Sequence, residues 1–237
     1  AYNTTVTADS TIVSGRATNG AGITQTLGTL SIGANTLNIT KGIRDTSGTA
    51  GLTFGATTLT ASGTIFAPAV GTLLTLGSVS GNGNNFTVNG AGNTDITGII
   101  GTTTGTVTQS GTGTLTLSGA NTYSGNTTVS AGVLNIQNAN ALGNGAGTTS
   151  VTSGAALQIQ GGITTAAEAL TLNGTGISND GALRNISGNN TYAGLITLGS
   201  DTRINSDLNT LTLSNVGTIT GSGFGLTVGG VGNTTIN

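Results

Sequence analysis

Aliphatic residues in this chain alternate with Thr, Ser or Asn in short runs, and Gly, Asn or Ser breaks each run before the next begins. Thr36-Leu37-Asn38-Ile39-Thr40, Leu115-Thr116-Leu117, Thr127-Thr128-Val129-Ser130, Val133-Leu134-Asn135-Ile136-Gln137 and Leu211-Thr212-Leu213 are examples. A period of two is that of a half-buried strand, with one set of side chains turned to a core and the other to solvent. Only Ala166-Ala167-Glu168-Ala169-Leu170 offers a credible helical turn, and even there a strand beginning at Ala169 fits better. At two or three strands per coil the repetition implies a unit of roughly 20 to 25 residues, within the range of solenoid repeats.

Composition explains how so many strands can coexist. The 43 Gly residues invite a reading as a disordered polar chain, but 35% hydrophobic residues placed in alternation supply a core that disordered segments lack. Charged residues make up 5% of the chain, against roughly 25% in an average soluble protein. In a parallel stack each outward side chain lies over its counterpart about 4.8 Å away, so a repeated charge becomes a like-charge ladder. Thr, Ser and Asn avoid that penalty, and stacked Asn amides are expected to bond to one another along the axis. On this reading Leu115 and Leu117 face inward, Thr114 and Thr116 face outward, and Gly119, Gly125 and Gly132 turn the corners with positive φ. The fold expected is all-β: a parallel β-helix, or β-solenoid, of about ten coils and about 50 Å length, forming one continuous domain over residues 1–237.

A near copy adds a longer scale. Phe86-Thr87-Val88-Asn89-Gly90-Ala91-Gly92-Asn93-Thr94-Asp95-Ile96 matches Leu226-Thr227-Val228-Gly229-Gly230-Val231-Gly232-Asn233-Thr234-Thr235-Ile236, so an internal duplication relates roughly 73–97 to 210–237. The second copy stops mid-pattern at Asn237, which points to a fragment of a longer solenoid or a subunit that abuts a neighbour. No signal peptide is legible at Ala1-Tyr2-Asn3.

The segment GTGTLTLSGANTYSGNTTVSAGVLNIQ at 111–137, followed by Asn140-Ala141-Leu142-Gly143, resembles the autotransporter-associated β-strand repeat: a Leu-Thr-Leu strand, Ser-Gly, Asn-Thr-Tyr, Gly, a Thr/Val strand, Ala-Gly and a Leu-containing strand. A weaker copy, SGNNTYAGLITL, occupies 187–198. The resemblance implies a right-handed β-helix passenger exported to a bacterial cell surface or beyond, and it implies no catalytic residue.

Chemistry is sparse. There is no Cys and no His, which removes disulfides, thiol chemistry and the commonest metal ligand and general base. The acids Asp9, Asp45, Asp95, Glu168, Asp180, Asp201 and Asp207 are mostly isolated and read as loop-tip solubility, with Asp201 and Asp207 the one pair placed to share a face. The bases Arg16, Lys41, Arg44, Arg184 and Arg203 read as scattered, and Arg44 beside Asp45 and Arg184 near Asp180 as surface ion pairs of small value. Tyr123 and Tyr192 share the Asn-Thr-Tyr position, where they fill a coil corner; stacking on a glycan is the alternative. Gly81-Asn82-Gly83 lacks the Lys and helix of a phosphate loop and reads as a turn. No catalytic, cofactor-binding or metal-binding residue is assigned, and no cofactor.

The chain is therefore expected to be a non-enzymatic structural element, a rigid spacer, fibre or sheath component outside the cell. An adhesin for glycans or host surfaces and a self-polymerising filament subunit stand as alternatives, with a polysaccharide lyase the remote enzymatic rival. Partners on these readings are copies of the chain, end to end or laterally, or cell-surface glycans. With a net charge of −2 and a pI near 4.5, nucleic acid is not expected. Nor is a membrane span, since no apolar run approaches the ~18 residues required.

Overall fold

The computed structural model describes residues 1–215, 217 and 219–237. Its regular structure is strand, apart from a single 3-10 turn at Ile177–Asn179. All strand pairings among the described residues are parallel, and they organise the chain as a β-solenoid of about ten coils, with strands on two or three faces of a coil.

Face one runs through Thr4–Val6, Leu30–Ile32, Thr57–Leu59, Val79–Ser80 and Ile100–Gly101, and strand pairing resumes along Asn190–Tyr192, Thr210–Leu213 and Asn233–Ile236. Face two begins with Ser10–Ser14 and Thr36–Lys41 and passes through Val107–Gln109 and Thr127–Val129 to Ala169–Gly174. Face three includes Ala50–Phe54, Thr114–Leu117, Val133–Ile136, Leu183–Ser187 and Leu226–Gly229. The strand Ile196–Ser206 turns the corner without a break, its first part pairing on face two and its second on face three. Coil length varies: Val107 lies under Thr127, whereas Leu37 lies under Phe66.

Alternation within each strand builds the core as expected. Leu115 and Leu117 are fully buried while Thr114 and Thr116 are half-buried on the outside. Leu52, Leu74, Thr94, Leu115, Leu134, Leu157, Leu183 and Ile204 form one continuous inward column on face three. Burying an aliphatic side chain of this size contributes about 1.5 to 3 kcal/mol. Ala169–Gly174 is a strand, not a helical turn.

Three details differ from the sequence reading. Thr is not confined to the outside: Thr64, Thr72, Thr94 and Thr202 are buried, and Thr64 and Thr72 donate their hydroxyls to the Gly33 and Ala69 carbonyls at 2.6 and 2.7 Å. A hydroxyl that finds a carbonyl beside it at a corner loses little by leaving water. Of the three corner glycines, only Gly132 has positive φ, at 60°. Gly119 and Gly125 are required by close approach instead, since a Cβ on either would collide with the backbone of Gly98 or Gly105 in the coil before. Gly28, Gly55, Gly77 and Gly98 likewise stack as a ladder, with the Gly55 and Gly98 N–H groups donating to Gly28 and Gly77 at 2.8 Å.

Asn also behaves differently from the simple amide ladder. Amide-to-amide contact occurs where Asn135 meets Gln158 at 3.3 Å and Gln137 at 2.9 Å. At corners, Asn85, Asn93, Asn126 and Asn189 instead accept the N–H of Thr106, Thr114, Thr148 and Thr210 in the following coil. A side-chain carbonyl there takes the place of a ladder carbonyl that the bend has turned away from the axis. The near copies also occupy different positions in the coil. Phe86–Val88 and Asn93–Ile96 lie on faces two and three, but Leu226–Gly229 and Asn233–Ile236 lie on faces three and one.

Candidate functional site

The two Asn-Thr-Tyr copies sit at the same corner, where face one leads into face two. Asn121 and Asn190 are both buried. Each accepts a backbone N–H from the coil before it: Ile100 to Asn121 Oδ1 at 2.8 Å, and Ile163 to Asn190 Oδ1 at 2.7 Å. Asn121 Nδ2 then donates forward to the Ala141 carbonyl at 2.6 Å, so its side chain stands in for a peptide group in the ladder. The tyrosines that follow are 0% exposed. Tyr123 Oη lies 2.8 Å from Thr127 Oγ1, and Tyr192 Oη donates to the Glu168 carbonyl at 2.8 Å. Their rings fill the corner, as expected, and this burial removes them from any role in stacking on a glycan.

Glu168 is the residue that sequence reading misplaced. It is 1% exposed and belongs to the interior, not to a soluble loop tip. Its Oε1 accepts the Thr149 hydroxyl at 2.5 Å, while its buried Oε2 has no hydrogen-bond partner. Burial pushes its pKa up to about 7, against the lowering effect of the Thr149 hydrogen bond. Burial, with a smaller contribution from the Glu168 charge, also pushes both tyrosines well above the ordinary phenol value; for Tyr123 the Thr127 hydrogen bond acts in the opposite direction. The missed signal is parity, because Glu168 continues the inward series of Leu170 and Leu172.

The other carboxylates serve the scaffold. Asp9 and Asp201 accept the Thr36 and Gly225 N–H groups, each at 2.7 Å. Asp201 and Asp207 do not act as a pair, since Asp207 is bonded to Arg184 at 2.7 Å. Arg184 also reaches Asp180 at 3.1 Å, giving a partly exposed triad in place of the single pair expected. The expected Arg44–Asp45 ion pair does not form: Asp45 is buried, and neither carboxylate oxygen has a hydrogen-bond partner. Among the described residues, no group of three or more acids is placed to hold a metal ion.

The bases are less scattered than their numbering suggests. Arg16, Lys41 and Arg44 are brought together in the first two coils by a local repeat of 27 residues, which sets Ser14 beside Lys41. Arg16 and Arg44 line one cleft with Val13, Gly15, Gly42 and Ile43.

The first Asn-Thr-Tyr corner lies inside a stretch with a defined relationship to known sequences. Residues 107–136 match the passenger-associated-transport-repeat family. That stretch spans Val107–Gln109 to Val133–Ile136, two strands on face two and two on face three with the Tyr123 corner between them. It overlaps the segment whose resemblance to the autotransporter-associated β-strand repeat was read from sequence. The passenger-associated-transport-repeat thus corresponds here to about one and a half coils of the solenoid, and it suggests a β-solenoid of the autotransporter passenger type. No curated protein and no solved structure matches the chain.

Proposed function

We propose that this chain is a rigid structural element of an exported bacterial surface protein, a solenoid spacer or sheath component with no catalytic role. The observation that carries the reading is the outer surface. Coil after coil superimposes neutral side chains, as where Thr87 lies between Ile65 and Thr108, and Thr128 between Thr108 and Ser150. A surface of this kind stacks without electrostatic penalty at any length, which suits a rod. The passenger-type repeat supports export to the surface or the medium. The acids spent on backbone N–H groups and on Arg184 support the non-enzymatic reading.

Lateral or end-to-end contact with further copies is part of this proposal, because uncharged rows of Thr and Asn present hydroxyl and amide groups that pair with themselves. Proteinase K treatment of intact source cells, followed by mass spectrometry of the shed peptides, tests the location. Peptides from residues 107–136 should be released without lysis; release only after lysis would refute an external location.

A further inference from the structure

In coils three to seven the chain crosses from face two to face three in three or four residues, as at 69–71 and 110–113. In the first two coils the same crossing takes residues 15–23 and 42–49, and the two long segments stack on one another through Gly20–Ala21 and Asp45–Ser47. Gly15 and Gly42 make the stacking possible, since a Cβ on either would stand 2.8 Å from the Cα of the other. The lobe so formed adds little to the core, because only Asp45 within it is buried. Extra surface structure of this kind is where binding groups are commonly carried.

Here the chain also departs from its own charge rule. Arg16, Lys41 and Arg44, three of five Lys and Arg residues, stand in adjacent coils. Arg184 is bonded to Asp180 and Asp207 and Arg203 to the Asn205 amide; in the lobe Arg16 and Lys41 donate to the Ala21 and Gly48 carbonyls, and among the described residues no ion pair involves its three cations. Asp45 forms no ion pair or hydrogen bond with them: its Oδ2 lies against Gly15 and Gly42, and both its oxygens are buried without a hydrogen-bond partner. Arg16 and Arg44 line a cleft of about 290 Å³ with Gly15, Gly42 and two exposed aliphatic side chains, Val13 and Ile43.

We propose that this cleft binds a small sugar bearing a carboxylate or a sulfate. Two guanidinium groups without acidic partners supply forked donors matched to an oxyanion, and an anion between them relieves their mutual repulsion. The glycines let a ligand approach the backbone closely, and Val13 and Ile43 offer apolar contact to the C–H face of a ring. A volume at the lower end of ligand sites sets the scale at one or two sugar rings.

Isothermal titration calorimetry with glucuronate, glucose 6-sulfate and glucose, at about 20 mM and about 200 mM NaCl, tests the proposal. One or both anions should bind, more weakly at the higher salt, while glucose does not. Binding of glucuronate alone identifies a carboxylated sugar, of glucose 6-sulfate alone a sulfated one, and of both a site that reads charge without distinguishing them. The double variant R16Q/R44Q should weaken binding at least about tenfold, R44Q alone should act in the same direction, and R203Q should leave affinity unchanged. Circular dichroism confirms that the variants retain their strands. Glucose binding as well as the anions, no binding of either anion, or undiminished affinity in R16Q/R44Q would each overturn the proposal.

Discussion

Replacing Glu168 by Gln should convert a pH-sensitive solenoid into a pH-insensitive one. In the folded chain the carboxyl is neutral up to about pH 7, whereas in the unfolded chain it ionises from its ordinary value of 4.5. Between those values unfolding releases a proton, so stability is full below pH 4.5 and falls as pH rises, with the loss complete above pH 7. A displacement of that size corresponds to about 3 kcal/mol, a large part of the stability of an ordinary domain. The groups that respond to the Glu168 charge are Tyr123 and Tyr192, both driven above the phenol range, and Thr149 is neutral, so no other ionisation of this cluster falls in the window. Gln retains an oxygen to accept the Thr149 hydroxyl and carries no charge, so it resembles the protonated acid. Urea denaturation of the wild type and E168Q at half-unit intervals from pH 4 to pH 9 measures the effect. The wild type should lose about 3 kcal/mol across the range, E168Q should stay level, and E168Q should be the more stable at pH 8. Parallel profiles for the two proteins would refute the assignment of a buried, uncompensated carboxyl.

Asn121→Leu should cost about 1 to 3 kcal/mol, because the Ile100 N–H and the Ala141 carbonyl both lose their partner in a buried corner; chemical denaturation measures it, and accelerated hydrogen exchange at Ile100 localises it. Tyr192→Phe should cost about 1 kcal/mol by stranding the Glu168 carbonyl, and Tyr192→Ala about 3 to 5 kcal/mol by opening a cavity, both read from denaturation midpoints. Gly98→Ala should destabilise by about 1 to 3 kcal/mol, since the new methyl would stand 2.7 Å from the Gly77 carbonyl in the glycine ladder. Gly154→Ala, with nothing within 4 Å but φ at +85°, should cost only about 1 kcal/mol, and calorimetry separates the two. Deleting residues 107–126 should leave a folded rod by circular dichroism, because Thr127–Val129 then takes the place of Val107–Gln109, whereas deleting 107–113 sets the face-three strand Thr114–Leu117 over face two and should abolish folding.

What the sequence determined by itself was everything that depends on neighbours along the chain. Alternation assigned Leu115 and Leu117 to the interior, the rarity of charge pointed to stacked identical surfaces, and the repeated Asn-Thr-Tyr marked a corner filled by tyrosine. These follow because a strand's side chains alternate in orientation residue by residue. The tertiary structure decided what depends on neighbours along the axis. Which residues meet there is set by coil length, and that varies from the step between Val107 and Thr127 to the longer one between Leu37 and Phe66. Parity could point Glu168 inward, but no periodicity in the sequence could announce that Thr149 would be its partner there, that Gly119 would lie against Gly98, or that Arg16 and Arg44 would line one cleft. In a solenoid the contacts that decide charge, close approach and binding are made one turn away, at a distance the chain does not hold constant.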